Sequence, residues 1–162
     1  MRPLALILAT AGGTGYLPVA PGTWGSALAL ALCWAWVAHG GGPLGFLVAT
    51  ATATAVGVWA AGAMERITGR PDDGRIVIDE VAGQWLTLAP VVTWAPEGAL
   101  FPSLVTAFVL FRLLDITKPG PVRWAERSFP GGVGVMADDV VAGVMGAAVM
   151  SAGLWILFGG LL

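Results

Sequence analysis

Arg75-Ile-Val-Ile-Asp-Glu-Val-Ala-Gly-Gln-Trp85 is the stretch on which the reading of this chain turns. Two adjacent carboxylates, Asp79 and Glu80, stand inside an apolar run that continues to Val92. A bare carboxylate in apolar surroundings either neutralises or acquires a cation. Two side by side are worse placed, because each charge opposes ionisation of the other. The chain therefore has to supply a partner for them.

The surroundings of that run are apolar throughout. Hydrophobic residues make up 57% of the 162 residues and charged residues only 11%. A soluble domain carries about 25% charged residues, so this chain cannot cover a water-facing surface and a membrane is its expected solvent. The length suits one compact domain, and residues 1–162 read as a single membrane-embedded unit. A net charge of −2 and a pI of about 5.1 speak against a nucleic-acid partner, which needs clustered Lys and Arg. Cys33 is the sole cysteine and reads as a small buried hydrophobe without a disulfide. Met1-Arg2-Pro3 and the apolar patch Leu4 to Ala11 resemble a signal peptide only faintly. The patch is too short to span and lacks a clear cleavage site. It is expected to remain, as a short helix against the bundle or the interface.

Five apolar segments follow: Trp24 to Ala38, Leu44 to Met64, Ile76 to Trp94, Leu100 to Leu114, and Val140 to Leu162. A spanning helix needs about 20 mainly apolar residues. The second and fifth segments meet this, and the third does so if its acids are compensated. The first and fourth are short, hence tilted, partial or shielded. The expected fold is all-α, a small polytopic membrane helix bundle of about four to five apolar helices plus the short N-terminal helix. Ala53, Gly57 and Ala61 form a small-residue stripe, and Gly143 follows Asp139 by four; such spacings let helices approach closely in lipid. Arg66, Arg70 and Arg75 follow the second segment, and Lys118, Arg123 and Arg127 follow the fourth. The loops Gly40 to Pro43 and Ala95 to Ala99 hold no Lys or Arg. Positive residues mark the cytoplasmic side. Alternating segments then carry Asp79, Glu80, Asp115, Lys118, Asp138 and Asp139 to the cytoplasmic face, leaving His39 and Glu97 opposite. Ionisable groups gathered at one mouth of a bundle are a candidate site.

Each motif also has a plainer explanation. Asp79 and Glu80 can be an acidic first turn complementing a helix dipole; Ile76-Val77-Ile78 before them argue for a deeper position, and Gly83 leaves room beside Asp79 for another helix. Arg112, Asp115 and Lys118 at i, i+3, i+6 can be a salt-bridge ladder, yet Asp115 near a helix C-terminus calls for a cation. Asp138 and Asp139 follow Gly131-Gly132-Val133-Gly134 and begin the fifth segment; N-capping accounts for one of them. That glycine run lacks the Lys-Ser/Thr ending of a nucleotide loop. The stretch Gly12 to Ser26 is rich in Gly and Pro, carries Thr14, Thr23 and Ser26, and enters a helix whose free N–H groups suit phosphate. Asp72-Asp73-Gly74 reads as a solvated turn.

Several acids together with Lys and Arg suit a hard, oxygen-liganded cation, with Mg²⁺ favoured. Such an ion bridges carboxylates to a substrate phosphate, and Lys118 and Arg112 would hold phosphate oxygens as charge builds. Thiol and histidine chemistry are disfavoured, since Cys33 is remote and His39 lies at the other end. The competing reading is a small ion- or proton-coupled transporter, because intramembrane acids also mark ion pathways.

Four motifs in order resemble the phosphatidylglycerophosphatase A family: Pro21-Gly-Thr-Trp-Gly-Ser26, Ile76-Val-Ile-Asp-Glu-Val-Ala-Gly83, Phe111-Arg-Leu-Leu-Asp-Ile-Thr-Lys-Pro119, and Gly131 to Gly143. The likeness runs from Leu4 to about Ala147. Many relatives follow the counterpart of Pro119 with an aromatic and a proline; here Gly120-Pro121 stands instead. The resemblance implies an all-helical protein of the bacterial inner membrane. It implies a Mg²⁺-dependent hydrolase of a phosphorylated glycerophospholipid, releasing phosphatidylglycerol and inorganic phosphate from phosphatidylglycerophosphate. Taken with the residue reading, it makes Asp79, Glu80, Asp115 and Asp139 the expected metal ligands and Asp138 a ligand or base. Thr23 and Ser26 are further phosphate-binding candidates.

Overall fold

A computed structural model describes residues 2–159. Every regular element among them is helical. The order is α1 (Arg2–Ala9), a 3₁₀ turn (Ala11–Tyr16), α2 (Pro21–Ala38), α3 (Pro43–Thr68), α4 (Ile78–Trp94), a 3₁₀ turn (Glu97–Ala99), α5 (Leu100–Thr117), α6 (Gly120–Ser128) and α7 (Gly131–Phe158). Met1, and the last three residues of the expected fifth segment, lie outside the described residues.

The helix boundaries follow from local chemistry. α2 and α3 both open on a proline, whose missing N–H would have had no partner there. α3 stops at Gly69, which takes the left-handed conformation that releases a chain from a helix. α4 is the hub, packing against α2, α3, α5 and α7. Its buried residues go round the helix, including Ile78, Val81, Ala82, Gly83, Leu88 and Val91. A helix apolar on all sides belongs inside protein, so α4 needs neither full spanning length nor an uncharged surface. By length and composition α3, α7 and the stretch Glu97–Thr117 are able to cross a membrane. The fourth segment, short on sequence, gains that length from the turn before it and the three residues after it. Outward-facing Leu44, Phe101, Trp155 and Ile156 are largely exposed, as lipid-facing side chains are.

α4 and α7 run side by side in the same direction and approach closely. A Cβ on Gly83 would meet Asp139 O at 2.5 Å, and one on Gly143 would meet Gly83 O at 2.5 Å. Thr87 Oγ1 donates across the seam to Gly143 O at 3.3 Å. On the other side of α7, Gly132 lies so near α3 that a Cβ would meet Gly62 N at 2.6 Å.

Three expectations change. The glycine run before Asp138 is the first turn of α7, not a loop, and Gly132 within it lets α7 cross α3. Asp138 and Asp139 are thus two turns inside the helix, and N-capping explains neither. Residues 120–128, read as part of a basic loop, form α6. It is amphipathic, with Val122 and Ala125 buried on one side, but at nine residues and polar on average it does not stand out as an apolar segment. Asp73 is buried rather than solvated. Its carboxylate accepts hydrogen bonds from Arg75 Nε at 2.8 Å and Arg75 N at 3.2 Å. Val77 N–H donates to Ala9 O at 2.9 Å, tying the α3–α4 turn to α1.

Candidate metal centre

The bundle brings four helix ends to one place. The first turns of α2 and α4, the last turn of α5 and the second and third turns of α7 surround a cavity of about 520 Å³. Asp79, Glu80, Asp115, Lys118, Asp138 and Asp139 all line it. The plainer reading of Asp79 and Glu80 is right about position, since they occupy the first turn of α4. They are nevertheless enclosed, because α2, α5 and α7 stand around that turn.

Asp79, Glu80 and Asp139 each offer a carboxylate oxygen within 4.8 Å of the others. Asp139 is only 4% exposed. The Gly83–Gly143 contact produces this convergence, for each glycine lies one turn beyond its aspartate. Asp79, Asp139 and Asp115 all stand near enough to Glu80 to repel its charge. The nearby cation is Arg112, whose Nη1 is 4.0 Å from Glu80 Oε1 but 2.5 Å from Asp115 Oδ2. Glu80 Oε2 is buried with no hydrogen-bond partner among the described residues. Three hard oxygens, too close for mutual comfort and with one orphaned, fit a divalent cation. The centre can hold a metal ion through Asp79, Glu80 and Asp139. Asp115 shares the cavity but lies outside this group of three.

The half-expected ladder along α5 divides. Arg112 pairs with Asp115, whereas Lys118 ends the helix in a left-handed conformation and turns away. Its Nζ donates to Asp138 at 2.8 Å and Glu126 at 2.6 Å. Burial pulls its pKa down, but these two carboxylates outweigh burial and raise it above the ordinary lysine value. Lys118 therefore stays a cation on the cavity wall. Ser26 and Thr23 are not part of that wall. Ser26 is fully buried; its hydroxyl donates to Gly22 O at 3.0 Å and accepts from Arg112 Nη1 at 3.4 Å. Pro21 and Gly22 face the cavity in their place. Glycine at 22 leaves the Glu80 carboxylate its place, because a Cβ there would collide with Glu80 Oε1 and displace it.

Sequence reasoning passed over Glu65, Glu126 and Gln84. Glu65 lines the cavity and accepts from Asp72 N–H at 2.8 Å. Beside Arg66 and Arg70 it looks like ordinary surface charge. Glu126 became visible only with α6. Gln84, one turn after Glu80 in an apolar helix, was the signal within reach.

The family model described as Phosphatidylglycerophosphatase A matches residues 7–154. A Bacteroides thetaiotaomicron protein with the provisional name phosphatidylinositol-3-phosphatase is 37% identical over 160 residues, covering 95% of this chain and 96% of that one. Phosphatidylglycerophosphatase A of Escherichia coli (strain K12) is 36% identical over 148 residues, 89% of this chain and 80% of that one. Its Haemophilus influenzae counterpart is 34% identical over 154 residues, 94% and 89% of the two chains. No solved structure gives a significant match. The matched span includes every acid that lines the cavity, and with it this chain belongs to the phosphatidylglycerophosphatase A family.

Proposed function

We propose that this chain, acting as one membrane-embedded unit, removes the terminal phosphate of phosphatidylglycerophosphate to give phosphatidylglycerol and inorganic phosphate. The observation that carries the reading is the meeting of Asp79, Glu80 and Asp139 on the wall of a polar cavity, within an otherwise apolar bundle. Mg²⁺ held there, with Asp115 alongside, would neutralise the acids and polarise a phosphoryl oxygen. Lys118 donates to phosphate oxygens as negative charge builds on them. Arg112 adds positive charge from behind Glu80 and Asp115. In the first turn of α2, where Thr23 and Trp24 N–H are taken up by Ala20 O, the Gly22 N–H beside the cavity is a favourable place for an anion. Asp138, held on the cavity wall by Lys118, accepts a proton from the attacking water. The water oxygen bonds to phosphorus, the ester O–P bond breaks, and the proton passes on to the departing glycerol oxygen.

The acids share their end of the bundle with Arg66, Arg70, Arg123 and Arg127. By the bias of positive residues, that end faces the cytoplasm of a bacterial inner membrane. The acyl chains then stay in the bilayer while the headgroup reaches the cavity.

The name of the Bacteroides relative supports a second headgroup, a phosphoinositide. Phosphate release by purified protein from phosphatidylglycerophosphate, phosphatidic acid and phosphatidylinositol 3-phosphate decides between them. Fastest release from phosphatidylglycerophosphate, abolished by a chelator, is expected. Preference for the phosphoinositide overturns the substrate. No release from any of the three, with cation flux into proteoliposomes, returns the acids to a transport role.

A further inference from the structure

Gln84 lies on α4 one turn past Glu80 and is completely buried. Neither its amide nitrogen nor its amide oxygen has a hydrogen-bond partner among the described residues. Two other buried atoms share that condition, Glu80 Oε2 and Arg112 Nε. Residues four apart stand on the same face of a helix, and Arg112 lies against Glu80. The orphaned atoms thus belong to one region, which runs from the Glu80 carboxylate to one turn deeper in the bundle. Their chemistry is complementary. Gln84 Nε2 and Arg112 Nε donate; Gln84 Oε1 and Glu80 Oε2 accept. A buried amide with no partner is costly, and an aliphatic side chain of equal volume would avoid that cost.

We propose that Gln84 is a positioning residue for Glu80, its amide oxygen accepting from Arg112 Nε–H and its amide nitrogen donating to the Glu80 carboxylate, directly or through one water, when the acids hold a divalent cation. The inference rests on the metal reading of the same centre. The remaining lone pairs of Glu80 are then aimed at the ion rather than left free to swing toward Arg112. Outer partners of metal-bound carboxylates act this way, and losing one weakens metal affinity about 10- to 100-fold.

The test uses two variants of the full chain in detergent. Gln84→Met keeps the length and removes both polar atoms; Gln84→Asn keeps the amide but is one methylene too short. Mn²⁺ affinity is read from the electron paramagnetic resonance of free Mn²⁺, beside the metal-free thermal midpoint and lipid phosphate release. Both variants are expected to bind Mn²⁺ about 10- to 100-fold more weakly than wild type, with turnover largely recovered at saturating metal. The metal-free midpoint of Gln84→Met is expected not to fall. Wild-type Mn²⁺ affinity in either folded variant overturns the proposal, and a raised midpoint with unchanged affinity marks Gln84 as a buried polar residue only. If Gln84→Met does not fold, Gln84→Asn decides. Should wild type bind Mn²⁺ but release no lipid phosphate, the activity reading fails while the affinity comparison still judges Gln84. Should wild type bind no Mn²⁺, this inference falls as well.

Discussion

Replacing Gly143 by alanine asks whether the approach of α7 to α4 is what makes the site. The added Cβ would stand 2.5 Å from Gly83 O and 2.9 Å from Gly83 Cα. Both are backbone atoms, so no side-chain rotation relieves the clash. Relief to a 3.4 Å contact parts the helices by about 0.9 Å at that level. Asp139 and Asp79 lie one turn from the contact, so most of the displacement reaches the acid oxygens, which now sit within 4.8 Å of one another. Mg²⁺ holds its oxygens at about 2.0–2.1 Å with little tolerance. An error of about 1 Å in a catalytic arrangement costs about 100-fold in rate. The overpacking itself costs about 1–3 kcal/mol. Gly143→Ala is therefore expected to fold with a lowered thermal midpoint, to need more Mg²⁺ for half-maximal activity, and to lose about 30- to 100-fold in kcat. Phosphate release from lipid in mixed micelles, titrated with Mg²⁺, reads both quantities. Gly153→Ala is the control: it lies on the same helix, and a Cβ there meets nothing within 4 Å. Wild-type turnover and Mg²⁺ requirement in a folded Gly143→Ala protein would refute the reasoning.

Gly22→Ala pushes a methyl into the Glu80 carboxylate, the movable end of a side chain. The thermal midpoint should hold while activity falls about tenfold or more, as when a ligand's orientation is lost; equal loss of both would mean the fold is at stake. Asp73 has its pKa lowered from 3.8 to about 2, chiefly by the hydrogen bond from Arg75. A depressed carboxylate pKa stabilises the fold above 3.8, and that stabilisation is lost as pH falls through about 2. With Arg75 partly exposed, solvent screening weakens what the pair contributes. Asp73→Asn should lower the thermal midpoint near neutral pH, with a gap to wild type that narrows below pH 3.8 and closes near pH 2; a constant gap contradicts this. Lys118→Met should cost about 100-fold in kcat through lost phosphate stabilisation. Glu126→Gln removes only the more exposed of the lysine's two partners and should stay within about threefold of wild type in the same assay.

Much of the centre was legible because its grammar is local. Glycines four residues past Asp79 and Asp139 announced two helices that could touch one turn beyond their acids, and they do. Basic residues after two segments put the ionisable groups at one end, and the bundle brings them to one cavity. What sequence could not convey is which neighbour each charge would choose. Arg112 and Lys118 look like one ladder with Asp115, but the left-handed conformation at Lys118 sends it to Asp138 and Glu126. Ser26 looks available to a phosphate, yet its hydroxyl is consumed inside α2 and by Arg112. The start of α7 was obscured because a glycine run in which Gly132 serves a tight crossing with α3 resembles a loop. α6 was obscured because it is short and polar on average, so a search for apolar segments passes over it. How the third segment tolerates its acids made sense only once α4 proved to be enclosed by four other helices.

Equilibrium binding of Mn²⁺ to purified wild-type protein, compared with Asp139→Asn, tests the convergence of the acids most directly. Saturable binding that Mg²⁺ displaces, weakened at least about tenfold by losing one of three carboxylates, is what the arrangement predicts. Wild-type protein that binds no divalent ion, or an Asp139→Asn variant that binds it undiminished, would contradict it.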